Sequence, residues 1–348
     1  AGFIGGGILV ERVIGAVGDS VVYEGRYRDA PARVRELWPQ GVLVRGEDGG
    51  GEPADPQWRK VFEQFESRFI TLGGKLKRLS HPHLGAVLGV YSAHDTAFRV
   101  EAEGGVSLED WLATGGKADP SVVRALARQV AEGLQALHAA GIDHLDVSPA
   151  TIAIRDARAV LTDVSLDRRP LMQVIKGQAG LARPGYAPIE LFDGAMTWAL
   201  TPATDLYGLC AVIWRLIVGR DPVDWAERTP DDKTLSELGA GLYPENFLSA
   251  VDKGLEIEPE DRFDSIAAWL AASGLDAAPV AEPLPGFDGP GPAEPEPEPE
   301  PEPEVVAEPE PVNPVVPEPA ASIAPVASPK PPPVQPTTTQ PAPVSATG

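Results

Sequence analysis

The chain changes its hydrophobic period part of the way along, and that change restricts the folds open to it. Up to about residue 102 the apolar residues alternate or run in short blocks between Gly and Asp. Beyond that point they recur every three or four residues. Residues 8–17, 21–28 and 32–37 read as an antiparallel meander. Phe62, Phe65, Phe69, Leu72, Leu76 and Leu79 fall at helical spacing, and two further strands are expected at 86–91 and 97–102. Asp119 then stands as an N-cap with Pro120 at the first helical position. Val123, Leu126, Ala127, Val130, Leu134 and Leu137 form one apolar face, and Gly141 closes that helix. A second long helix is expected from Thr204 to Val218, ending at Gly219. A strand-built lobe over residues 1–104 followed by a helix-built lobe over 105–278 predicts an α+β architecture with a cleft between its parts.

Composition sets the other limits. From Pro283 to Gly348, 22 of 66 residues are proline, with ten acidic residues against one lysine (Lys330). The alternating Pro-Glu run from Glu294 to Glu304 lacks amide donors and repels itself, so residues 279–348 are expected to be a disordered, polyproline-II-biased tail with a reach of roughly 200 Å. Its plain reading is a solvated spacer, and its alternative is a docking site for Pro-recognising partners. The net charge is −22, of which residues 1–282 carry −13. Such a balance argues against nucleic acid as a partner. Cys210 is the only cysteine, which excludes an internal disulfide framework and fits a reducing, cytoplasmic compartment. No apolar run is long enough to span a bilayer. The chain begins on Ala1 rather than Met, so a longer protein is expected, with any membrane anchor beyond Gly348.

Several ordered motifs resemble the bacterial Ser/Thr protein kinase family over roughly residues 8–275. His144-Leu145-Asp146 resembles the catalytic-loop His-Arg-Asp, and Thr162-Asp163-Val164-Ser165 the metal-binding Asp-Phe-Gly. Gly185-Tyr186-Ala187-Pro188-Ile189-Glu190 resembles the end of the activation segment. Thr204-Asp205-Leu206-Tyr207-Gly208 resembles the start of the central large-lobe helix, and Pro259-Glu260-Asp261-Arg262 the late loop of that lobe. Arg35-Glu36-Leu37-Trp38-Pro39 resembles a Lys-Glu-Tyr-Phe-Pro third strand. The resemblance implies a two-lobed protein-kinase-like fold. It also implies structural roles for four residues: Asp205 accepting catalytic-loop amides, Glu190 paired with Arg262, and His144 packed beneath the loop.

Where the family keeps its chemistry, this sequence departs. Phosphoryl transfer needs a glycine-rich loop, a Lys–Glu pair, two metal ligands and a catalytic Asp. Of the loop glycines only Gly15 is in place; Val17 and Ser20 stand at the other two, with Asp19 adding negative charge beside them. Arg35 stands at the strand lysine, and a guanidinium does not substitute for an ammonium in a fitted site. Its expected helix partner is Leu72, followed by Gly73 and Gly74, which predict a shortened or irregular helix. Ser148 replaces the loop lysine and Thr151 the metal-binding Asn. Leu145 replaces the phosphate-receiving Arg, and between Asp163 and Glu190 the only hydroxyls are Ser165 and Tyr186, so no phosphorylation switch is expected. Glu101 puts charge where an apolar gate usually stands near the hinge.

Two acids survive. Asp146 holds the base position and Asp163 the metal position. One reading gives them residual Mg²⁺ and nucleotide binding. The other has Asp146 bracing its own loop and Asp163 making an Asx-type turn. His81 and His83 lack the further ligands a metal would need, and Cys210 reads as a buried inert thiol. The reading that follows is a pseudokinase with a vestigial nucleotide site at Arg35 and Gly15, needing no cofactor and binding a protein partner or an active kinase. The alternatives are a diverged active kinase using ATP and Mg²⁺, and a nucleotide sensor without turnover.

Overall fold

The computed structural model describes residues 2–47, 49–174, 182–192, 197–229, 231–276 and 283–284; the Pro/Glu-rich tail expected over 279–348 lies, apart from residues 283–284, outside them. The first lobe is built on β1 (Gly2–Gly5), β2 (Ile8–Val17), β3 (Ser20–Tyr27), β4 (Ala30–Leu37), a β5–β6 hairpin (Leu43–Arg45, Gly51–Pro53), α1 (Arg59–Leu76), β7 (Val87–Ala93) and β8 (Thr96–Ala102). Its main sheet runs β1-β2-β3-β4-β8-β7, antiparallel throughout. The expected meander is present, with two-residue turns at Arg28-Asp29 and His94-Asp95, where both residues adopt the positive φ that primed hairpin turns require.

Gly73 and Gly74 do not shorten α1, contrary to the expectation from their helix propensity. The helix runs through both to Leu76 because Gly73 packs against the sheet: a Cβ there would stand 2.5 Å from Val90 Cγ2. The close approach of helix to β7 outweighs a propensity cost of about 1 kcal/mol. The Phe62, Phe65 and Phe69 face meets Leu37, Val42 and Ala97 in a small apolar cluster.

The second lobe follows as β9 (Val106–Ser107), α2 (Leu108–Ala113), α3 (Pro120–Ala139), the β10–β11 hairpin (Ile152–Arg155, Arg158–Leu161), α4 (Arg169–Val174), α5 (Pro202–Val218), α6 (Leu235–Leu238), α7 (Glu245–Gly254) and α8 (Ile266–Ser273). Helices α3 and α5 supply the largest apolar cluster with the buried faces of α7 and α8. Asp119 sits at the α3 N-cap in extended conformation without a side-chain cap bond, while Thr201 and Thr204 form a reciprocal capping box at the start of α5. Gly219 ends α5 with φ of +80°. Leu284, beyond the expected boundary at 278, is buried in this same cluster, and its N–H donates to Ala157 O at 2.6 Å. Among the described residues no helix is long and apolar enough to cross a membrane.

Candidate functional site: a cleft crossed by arginines

The strand period explains what faces the cleft. On β4, Arg33 and Arg35 point to one side and Val34 to the other. In register opposite them on β8 stand Glu101 and Arg99. This face therefore carries three arginines and one glutamate, with Arg35, Arg99 and Glu101 all buried. Arg99 Nε donates to Glu101 Oε1 at 2.5 Å, Arg35 Nε lies 3.8 Å from the same oxygen, and Arg99 Nη2 reaches Val164 O at 2.9 Å. Burial pushes the Glu101 carboxyl up, but Arg99, Arg35 and Arg33 outweigh it and hold the group below the usual carboxylate range. Burial brings Arg35 down to about 10, with Glu101 and Asp19 opposing, so it stays charged at neutral pH. Glu101 is thus a strand residue neutralised by its neighbours rather than an open charge at a gate.

From below, the loop after β11 presents Asp163, a non-glycine residue at φ of +62°. Its carboxylate is not turned back into a local Asx-type turn, as the sequence allowed. Arg35 Nη2 contacts Oδ1, and Arg33 Nη2 lies 3.5 Å from Oδ2, which also accepts from Thr162 Oγ1 at 3.0 Å. Arg35 therefore finds its counter-charges on β8 and beneath the sheet, not on α1, where Leu72 packs among apolar side chains.

The Asp146 carboxylate does not brace its own loop, one of the two readings open to it. Bracing of its loop falls to Thr151, whose hydroxyl accepts from Ser148 N at 3.0 Å and donates to Asp146 O at 2.6 Å. The Asp146 carboxylate instead meets Arg168 Nη2 at 3.1 Å and Arg183 Nε at 3.5 Å. Arg168 is buried, and although burial draws its guanidinium down, Asp146 and Asp19 outweigh this and raise it. Asp205 accepts His144 N at 2.7 Å and Leu145 N at 2.8 Å, helping to hold Leu145 at φ of +61°. His144 is fully buried; its Nε2 meets Thr162 O at 2.8 Å and its Nδ1 accepts from Asp146 N at 3.3 Å. Glu190 and Arg262 form a bidentate pair at 2.7 and 3.1 Å. Between the lobes an open, polar cleft of about 390 Å³ remains, lined by Gly15, Val22, Arg33, Gly104, Thr151 and Asp163 among others.

The sequence singled out Asp146, Asp163, Arg35 and Gly15 as cleft residues and His144, Asp205, Glu190 and Arg262 as structural ones, and missed Arg33, Arg99, Arg168 and Arg183. A usable signal existed: Arg33 and Arg35, like Arg99 and Glu101, are two apart on strands, which puts each pair on one face.

A sheet-built lobe and a helical lobe, with a loop of His-Leu-Asp form hydrogen-bonded to the segment that carries a second aspartate, define the two-lobed kinase architecture. The protein kinase domain family model matches residues 63–258, and the chain belongs to that family. The chain is similar to the serine/threonine-protein kinases PkaA of Streptomyces coelicolor (23% identical, over 74% of this chain and 48% of that one) and PknL of Mycobacterium tuberculosis (28%, 79% and 66%). It spans about half the length of PkaA and two thirds of PknL. Among solved structures it resembles the apo form of PpkA-294 (26% identical, TM-score 0.66, covering 78% of this chain and 98% of that one). It shares the fold of the Mycobacterium tuberculosis PknI kinase domain (22%, TM-score 0.55, 77% and 95%).

Proposed function

We propose that this kinase domain is a pseudokinase, a scaffold or regulator that works through protein contacts rather than by transferring phosphate. The observation that carries this is the state of Asp163: both of its carboxylate oxygens face guanidinium groups of the same chain. A magnesium-bound triphosphate needs that carboxylate, a second oxygen ligand and room beside the turn after β2. The residues as arranged do not fit it. Thr151 uses its hydroxyl inside the loop, Arg168 lies against Gly18, and Ser148 supplies no cation for the transferring group. Each such electrostatic group missing from a transfer site costs on the order of 10²–10³ in rate.

The partner class this supports is a protein, including an active kinase. The acidic balance speaks against nucleic acid, and the single buried Cys210, whose thiol burial pushes well up, supports a reducing, cytoplasmic setting. The test is to incubate pure protein with γ-labelled ATP, Mg²⁺ or Mn²⁺ and generic protein substrates. No incorporation above an Asp146→Asn control is expected, and incorporation abolished by Asp163→Ala would overturn the proposal.

A diverged active kinase using ATP and Mg²⁺ is the second reading, favoured by the open 390 Å³ of cleft beside Gly15 and by the presence of both aspartates. It requires Arg33 and Arg35 to leave Asp163 when nucleotide arrives. An unchanged melting temperature at millimolar ATP and Mg²⁺ counts against it.

A further inference from the structure

We propose that residues 166–171 form a built-in wedge that locks the two lobes together, with the Arg168 guanidinium as the bolt. This rests on the reading of the cleft as one that does not take magnesium and a triphosphate.

The wedge has an apolar half and a polar half. Leu166 and Leu171 are buried in the small-lobe cluster with Phe62, Phe65 and Phe69 of α1 and Leu37 of β4, although both belong to the segment that follows Asp163. Their burial ties the start of this segment, including α4, to the underside of the small lobe. Between these leucines Arg168 turns the other way. Its Nη2 donates to Asp146 in the large-lobe loop, while its guanidinium lies on the bare backbone of Gly18 in the turn between β2 and β3. A Cβ built at Gly18 would stand 2.5 Å from Arg168 Cζ, and Gly18 has φ of +57°, so a larger residue there strains the turn and displaces the guanidinium from its place. Asp19 in the same turn is buried and adds to the field that favours the charged guanidinium. One side chain thus touches both lobes, and its charge is balanced from each.

Arg169 fastens the outer end of the wedge, with Nη1 donating to Trp198 O at 2.7 Å and Nε to Asp167 at 3.0 Å. Closure of the lobes then requires no ligand, and the outer surface offered to a partner protein stays in one arrangement whether nucleotide is present or not. A cation fixed inside the chain does this more cheaply in entropy than a bound one, because no free ligand has to be immobilised.

Amide hydrogen exchange over residues 13–24 tests the wedge, since opening of the lobes frees the β2–β3 turn. In Arg168→Ala, exchange at residues 18–20 should rise at least tenfold. Asp146→Asn should give the same rise, and the double variant no more than either alone. Exchange there unchanged in both single variants overturns the wedge. Should Arg168→Ala not fold, Asp146→Asn alone decides, because it keeps the shape of the side chain and removes only the charge. The two ideas fail separately: phosphate transfer by the parent chain would end the pseudokinase reading and leave the exchange result standing, whereas flat exchange ends the wedge only.

Discussion

Arg262 lies across Glu190 with each Nη atom on one carboxylate oxygen, and neither side chain has any solvent exposure. The same guanidinium also bonds Glu256 O at 2.8 Å, Ile257 O at 2.7 Å and Ala203 O at 3.1 Å, so one buried cation joins the segment before α5, the helix itself and the loop after α7. Removing one partner leaves the other charge stranded. Glu190→Gln and Arg262→Met should each cost about 3–5 kcal/mol. Urea denaturation of the two variants checks this, and a double variant less destabilised than the sum of the singles would show that they act as a pair.

Asp163 separates a metal ligand from a structural counter-ion. A carboxylate kept only to bind magnesium can be removed with little loss of stability. Here Asp163 faces buried Arg35 and half-buried Arg33, so Asp163→Ala leaves an unbalanced guanidinium beneath the sheet. We expect a loss of about 3–5 kcal/mol by urea denaturation. Arg35→Met should be milder than Asp163→Ala, because Glu101 keeps Arg99 as a partner at 2.5 Å.

His144 gives the protein an acid-sensitive point. Burial pushes its imidazole below the ordinary 6.5, outweighing the pull of Asp205 and Asp146. Its Nδ1 accepts from Asp146 N, so the folded state holds the ring neutral. A base whose folded pKa is depressed binds fewer protons folded than unfolded, and stability must rise with pH through that interval. The contribution is complete above about pH 6.5 and is lost as pH falls towards the folded value. His81, also drawn down chiefly by burial, adds to the same slope. Urea midpoints measured from pH 7.5 to 5 should fall, and His144→Gln should flatten part of that fall while lowering stability overall.

Leu284 is the last described residue, and it belongs to the large-lobe cluster. Its side chain is 2% exposed against the large-lobe cluster and its amide is bonded beside the β10–β11 turn. Leu284→Ala should cost about 2–5 kcal/mol, as for other buried leucines. A chain truncated after residue 285 should melt like the parent and one truncated after residue 281 several degrees lower, by circular dichroism.

The architecture was legible because it rests on local periods. Alternation over residues 8–37 and a 3.6-residue repeat over 120–139 are written in neighbouring side chains, and the glycines at 141 and 219 end their helices as their backbone freedom suggests. Local preference misled where packing reversed it. Gly73 reads as a helix weakness and is a contact point with Val90. The β5–β6 hairpin and β1 went unread because each is too short to show a period.

What the sequence offered by itself was a resemblance to the kinase family and, with it, the expectation that Lys, Asn and two loop glycines are replaced while Asp146, Asp163, Asp205, Glu190 and Arg262 remain. It could not say what the remaining acids touch. That was decided by tertiary structure, which brings Arg33 and Arg35 from β4 to Asp163, and Arg168 and Arg183 from the segment after Asp163 to Asp146, carboxylates far from most of them along the chain. The physical reason is that a buried carboxylate needs a counter-charge, and the nearest one in space is set by strand register and lobe packing rather than by distance in sequence.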